Sequence, residues 1–153
     1  MSTGPKPGTL RAGTFDAFRL ARERGSIQGN FDAAASERLY DWLAPGEAPV
    51  TWSITGTTDA VGHPAIAIEL GGSVPLECQR CLTTMTWPVR QRTVTLLATS
   101  DAEGEVLDEG SDEEVLVASE PLDALALVED ELLLSLPYAP MHAEGDCEAA
   151  YAN

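Results

Sequence analysis

The chain has 153 residues, hydrophobic and charged fractions of 44% and 22%, and three cysteines, figures that suit one globular domain with a core of its own. It contains no unbroken apolar run of about eighteen residues, which excludes a transmembrane helix, and residues 1–8 lack the apolar stretch of a secretory signal. An odd cysteine count with a C-x-x-C pair argues for reduced thiols in a cytoplasm rather than a disulfide framework.

The net charge of −16 is unevenly spread. Residues 1–100 carry all nine Lys and Arg with nine acids, whereas residues 101–153 carry sixteen acids and no Lys or Arg. A field of that sign repels nucleic acid and attracts basic proteins or cations. A solvated, solubilising surface is the plainer reading of the same charges.

Taken in order, residues 1–9 read as a disordered start, 10–147 as a single domain and 148–153 as a tail. The stretch 15–27 mixes apolar residues with arginines and reads as extended over 16–21, followed by a turn at Arg24-Gly25-Ser26 and a short strand to Phe31. Asp32 can cap a helix over 32–43 with Leu39, Tyr40 and Leu43 inward, ended by Pro45-Gly46. Strict alternation over 50–55 and 65–70 predicts two antiparallel strands in a hairpin around His63, broken by Gly71-Gly72. Val74, Leu76 and Cys78 alternate again. Met85, Trp87 and Val89 share one phase and Val94, Leu96 and Ala98 the other, which predicts a bulge between 90 and 93. Pro88 lacks an amide donor and belongs at a sheet edge. Residues 100–114 read as a long, mobile acidic loop. A brief strand at 115–117 precedes a helix over 124–136, capped by Asp123 and stopped by Pro137. The fold class is therefore α+β: an antiparallel sheet packed with two main helices, about 32–43 and 124–136.

On a wheel of about 100° per residue, Leu122, Leu125, Val128, Leu132, Leu133 and Leu136 form one arc of the last helix. Glu129 lands inside that arc, and a carboxylate there needs a partner; Arg80, or backbone amides near it, is the expected donor. Asp123, Asp130 and Glu131 fall outside the arc. Leu127 and Leu134 sit opposite it, covered by the acidic loop or offered to a partner.

Chemistry concentrates at Cys78-Gln79-Arg80-Cys81. A C-x-x-C turn points two sulfurs the same way, and His142 with Cys147 has a spacing that can complete a tetrahedral zinc site. Against this, Cys78 is also simply the inward residue of its strand. A thioredoxin-like redox role would need the pair at the start of a helix, whereas the flanks read as strands. No H-E-x-x-H, phosphate-loop or G-x-S-x-G motif is present. Arg80, Arg90 and Arg92, with Trp87 among them, could contact RNA by phosphate pairing and stacking. A metal-dependent nuclease using the acidic clusters is the most distant reading.

The knuckle Cys-Gln-Arg-Cys-Leu at 78–82, the helix Val128-Glu129-Asp130-Glu131-Leu132-Leu133-Leu134-Ser135-Leu136-Pro137, and Pro140-Met141-His142 with Cys147 together resemble the YceD family. That resemblance spans roughly residues 15–147. It implies a role in ribosome biogenesis, in accumulation of large-subunit (23S) ribosomal RNA, with no established catalytic activity. A basic large-subunit ribosomal protein or a pre-ribosomal particle is the implied partner. The matching positions are Cys78, Arg80 and Cys81, then Glu129, Asp130 and Glu131, then His142 and Cys147. Two departures stand out: some relatives carry a second C-x-x-C where this chain has His142 and a lone Cys147, and many continue into a basic tail.

Overall fold

The computed structural model describes residues 13–142 and 147; the expectations for residues 1–9 and 148–153 lie outside these. A five-stranded sheet is formed by β2 (Ser26–Asp32), β3 (Pro49–Thr58), β4 (Pro64–Glu77), β5 (Thr84–Ala98) and β6 (Glu114–Val117), in that spatial order. A two-stranded pair joins β1 (Thr14–Phe15) to β7 (Leu122–Asp123). Three helices accompany them: α1 (Ala17–Glu23), α2 (Asp101–Glu109) and α3 (Ala124–Ser135). The class is α+β, and the sheet is antiparallel except for β6, which runs parallel to β5. That exception follows from α2, which turns β5–α2–β6 into a crossover, and a crossover returns a strand in the same direction.

The hairpin of β3 and β4 forms as alternation predicts, with Ile54 opposite Ile68. Gly71-Gly72 does not break β4. Gly72, at φ +123°, instead lets the backbone cross Pro49 closely, because a Cβ there would sit 2.2 Å from the Pro49 carbonyl oxygen. Nor is there a bulge in β5: its ladder with β4 is unbroken from Ala65 opposite Leu96 to Glu77 opposite Thr84. The phase change has a different cause. α1 and α3 cover the face that carries Ile54, Ile68, Leu76 and Val89, whereas α2 lies on the other face, its Gly104 over Val117, Ala98 and Val115. Each end of β5 is therefore buried on a different side. Pro88 lies where β5 has β4 on one side and, among the described residues, no second neighbour, since β6 pairs only with Thr95 to Ala98.

Two helical expectations change. The stretch over 16–21 is not extended: Asp16 accepts from Arg19 N–H at 3.1 Å and caps α1, which ends at Arg24 in the left-handed region. Its buried face is made of Ala17 and Ala21 rather than the larger apolar residues. Small residues are required there, because α1 is pressed so closely on β3 that a Cβ at Gly56 would lie 2.0 Å from the Leu20 carbonyl oxygen. Over 32–43 the expected helix is absent. Asp32 caps a single 3-10 turn, Ala33–Ala35, and a second, Tyr40–Trp42, follows. The Asp32 carboxylate also accepts from Ala48 N–H at 2.9 Å, and Ser36 is extended, which stops helix propagation between the turns. Leu39 is buried as expected, but Tyr40 is exposed.

Residues 100–114 are likewise not a loop. Ser100 accepts from Glu103 N–H at 3.2 Å while the Glu103 carboxylate accepts from Thr99 N–H at 2.6 Å. This reciprocal cap at the head of α2 offsets its helix-weakening Gly104. α3 matches its predicted extent to within a residue, with Asp123 accepting from Ala126 N–H at 3.1 Å. Its buried stripe is Ala124, Leu125, Val128, Glu131 and Leu132, rotated from the predicted arc towards Glu131. Because β6 extends the sheet under that flank of the helix, Glu131 is only 6% exposed, whereas Leu134 remains 70% exposed.

Candidate metal centre

The C-x-x-C segment is the loop that joins β4 to β5. Cys78 N–H donates to the Thr83 carbonyl at 2.9 Å and Leu82 N–H to the Cys78 carbonyl at 2.8 Å. Leu82 takes φ +64°, a left-handed turn that folds the loop back and turns both sulfurs inward. The segment after α3 is drawn against this loop: Gln79 N–H donates to the Pro140 carbonyl at 2.8 Å, and His142 N–H donates to Cys78 Sγ at 3.4 Å.

Cys78, Cys81, His142 and Cys147 thereby converge, all four ligand atoms within 4.8 Å of one another. Cys78 Sγ lies 3.5 Å from Cys147 Sγ, and His142 Nδ1 lies 3.5 Å from Cys81 Sγ and 3.6 Å from Cys147 Sγ. A tetrahedron built on metal–sulfur bonds of about 2.3 Å and metal–nitrogen bonds of about 2.0 Å has edges of roughly 3.5–3.8 Å. The spacing fits that size, and the thiols are free, not disulfide-bonded. Among the described residues, the four close enough to hold a metal ion are those the sequence singled out.

The surroundings favour thiolate at the knuckle. Burial alone would push the Cys78 thiol up, but N–H groups of Cys81, His142 and Arg80, with the Cys147 thiol, outweigh it and lower it to about 5. The Thr83 hydroxyl, 3.0 Å from Cys81 Sγ, lowers the Cys81 thiol against the effect of burial. Burial, and then its role as donor to Cys78 and Cys81, pushes Cys147 up to about 11. His142 is raised, chiefly by its hydrogen bond to Cys78. These shifts favour thiolate at Cys78 and Cys81 and the thiol at Cys147; a bound cation would draw off the remaining thiol protons.

The other predicted residues are arranged differently. Glu129 is paired, with its side chain 12% exposed, but not to Arg80: Ser36 Oγ donates to it at 2.7 Å and Arg38 at 3.3 Å, while Arg38 also pairs with Asp130. Arg80 instead extends over the Met141 sulfur at 3.6 Å. Trp87 packs against the core on one face of the sheet, whereas Arg90 and Arg92 project from the other, Arg92 pairing with Glu69 across the strands. The aromatic and the two arginines share a strand without sharing a surface. Glu131 accepts from Thr93 Oγ1 at 2.7 Å. His63 occupies an exposed turn held by Asp59, which accepts from its N–H at 2.8 Å.

One feature beside the knuckle escaped the sequence reading. Trp42 and Tyr138, exposed at 63% and 102%, flank a groove of about 390 Å³ floored in part by Leu76, Gln79 and Pro140. Their signal was an aromatic in a proline-bounded loop with no apolar periodicity to bury it.

Among the described residues no helix is long and apolar enough to cross a membrane. No solved structure matches the chain. The family model described as large ribosomal RNA subunit accumulation protein YceD matches residues 66–153, a span that takes in the knuckle, α2, β6, α3, His142 and Cys147; the chain belongs to the YceD family.

Proposed function

We propose that this protein supports accumulation of large-subunit ribosomal RNA as a cytoplasmic, non-enzymatic assembly factor that shields a basic ribosomal protein with its acidic C-terminal third. The family description names the process. The observation that carries the mechanism is the charge division, with sixteen acids and no Lys or Arg in residues 101–153. The carboxylates of α2 are exposed. Among the described residues, the acids of this third meet a cation at Arg38, which is spent on Glu129 and Asp130. A cationic partner would supply what the chain itself lacks there.

In the same reading, Cys78, Cys81, His142 and Cys147 hold a structural zinc ion. Zinc would clamp the β4–β5 loop to the segment after α3 and so fix α3 and the acidic surface relative to the sheet. With four protein ligands no position is left for a substrate, which is the arrangement of a structural rather than a catalytic ion.

The test is salt-titrated binding to a basic large-subunit ribosomal protein and, separately, to a large-subunit RNA fragment. Submicromolar protein binding that weakens with salt, without RNA binding, is the expected result. RNA binding alone would overturn it in favour of the arginines around the knuckle, and RNA cleavage that requires Mg²⁺ would point to a nuclease. Metal content after purification without chelator should show one zinc per chain, lost in Cys78→Ser.

A further inference from the structure

The acidic third contains a surface with a definite shape, on the side of the sheet away from β2. β6 is an edge strand: it pairs with β5 on one side and, among the described residues, with no strand on the other. Ala118 N–H donates to the Ala98 carbonyl at 2.8 Å, so the even-numbered residues of this segment turn their backbone groups to β5. In a parallel ladder the intervening residues, Val115 and Val117, turn theirs away. Beside this open edge lies a groove of about 340 Å³ between β6 and α3, walled by Leu116, Leu127, Leu133 and Leu134.

The floor of the groove holds Glu131. The residue is only 6% exposed, and Thr93 donates to its Oε1. Among the described residues no cation lies within ion-pair distance of it, and no donor reaches its second oxygen. No fully buried side-chain oxygen is left unbonded among the described residues, so that second oxygen keeps some exposure, and Glu131 lines the groove. A carboxyl group so enclosed is costly to leave without a partner. On the opposite face of the same edge, α2 presents Glu105, Asp108 and Glu109, all exposed.

We propose that this edge and groove form the docking site for an extended basic segment of a partner protein, which adds to β6 as a further strand. This rests on the reading of the acidic third as a surface for a basic protein. Main-chain hydrogen bonds to Val115 and Val117 set the register, as in other strand-addition complexes. Side chains of a strand alternate between its two faces. One set enters the groove, where apolar residues meet Leu116 and Leu134, and one arginine or lysine lays its alkyl stem along the leucines to bring its charge to Glu131. The other set, also basic, meets the α2 carboxylates. A second copy of the chain is disfavoured as occupant by its own charge of −16.

The probe is a capped peptide with the core Val-Lys-Arg-Lys-Val, titrated calorimetrically into the full chain, with a control peptide in which the basic residues are replaced by glutamate. The wild type should bind the first and not the second. Val117→Pro removes an outward N–H without touching the ladder to β5, and should weaken binding at least tenfold with an unchanged circular dichroism spectrum. Glu131→Gln, which keeps the bond from Thr93, should weaken it about five- to tenfold, and Leu134→Arg by a similar factor. If Val117→Pro perturbs the fold, Leu134→Arg on the exposed rim carries the test alone. Undiminished binding in folded Val117→Pro and Leu134→Arg overturns the docking site, and if the basic ribosomal protein still binds, the broader acidic reading survives without it. Failure of both the peptide and the basic protein to bind overturns both. Dimerisation of the wild type that Val117→Pro abolishes would make the occupant a second copy and overturn the proposal.

Discussion

The two ends of β5 are solved in opposite ways. At its start, the knuckle draws three thiols and an imidazole together, and the backbone of the loop and of the segment after α3 is tied by internal hydrogen bonds. At its finish, the chain enters α2 and β6, where carboxylates are exposed and, among the described residues, one strand edge is open. The first end satisfies its polar groups within the molecule and serves stability. The second leaves them unmatched at some cost to stability, the pattern expected where a partner completes the surface. The comparison predicts that substitutions at the knuckle should act on folding, and substitutions at the acidic end on binding.

The largest effect belongs to Cys78→Ser. With zinc held as proposed, removing the Cys78 thiolate should release it and destabilise the fold by about 3 kcal/mol or more, a fall in Tm of roughly 10 °C. Differential scanning fluorimetry with and without chelator checks this: chelator should lower the wild-type Tm and leave the variant unmoved. Equal Tm values for both proteins would remove the knuckle from the stabilising side of the comparison.

Next in size is the pH dependence of the metal-free protein. The Cys78 thiol is lowered from 9.0 to about 5 and the Cys81 thiol is lowered too, so at these two groups the unfolded chain binds more protons than the native one, against the single opposing proton of the raised His142. Stability should therefore rise with pH through that window and be lost as pH falls towards 5. Cys147, held up to about 11, acts in the other sense: the unfolded chain ionises first above pH 9, and stability should fall again. Urea midpoints measured across this range in the presence of chelator should peak near pH 9, and a flat profile would mean that the cluster does not hold its charge as described.

Smaller again is Ser36→Ala. Ser36 donates to a largely buried Glu129 across 93 residues of sequence, and losing a hydrogen bond to a charged group costs about 1.5–3 kcal/mol. Arg38 remains to neutralise the carboxylate, so the lower figure is expected in equilibrium urea unfolding, with no change in metal content.

These residues also mark where the sequence was legible. The knuckle, the β3–β4 hairpin and α3 rest on local patterns, and each is present. The reciprocal cap of Ser100 and Glu103 was equally local, but Gly104 and the density of acids in residues 100–114 outweighed it. α1 was missed because its buried face is two alanines fitted to Gly56, which hydrophobic periodicity does not register. The partner of Glu129 was beyond reach for a plainer reason: the wheel finds a carboxylate in need of a cation, but only the 3-10 turns bring Arg38 rather than Arg80 to it. The pairing of Trp87 with Arg90 and Arg92 failed on strand parity, since odd and even positions take opposite faces.

The smallest effect tests the acidic end by the sign of its response. α2 finishes on Asp108 and Glu109 with no basic residue in its last turn, which sets negative charge against the carbonyl end of the helix at a cost of about 0.3–1 kcal/mol each. Neutralising both, Asp108→Asn with Glu109→Gln, should raise the Tm of the free protein by about 2–4 °C, while weakening its binding to a basic ribosomal protein and reducing the salt dependence of that binding. Stability and affinity moving in opposite directions is what a surface kept for a partner requires. A variant that gains stability and loses no affinity would leave these carboxylates as solvated charge and confine the partner surface to the edge of β6.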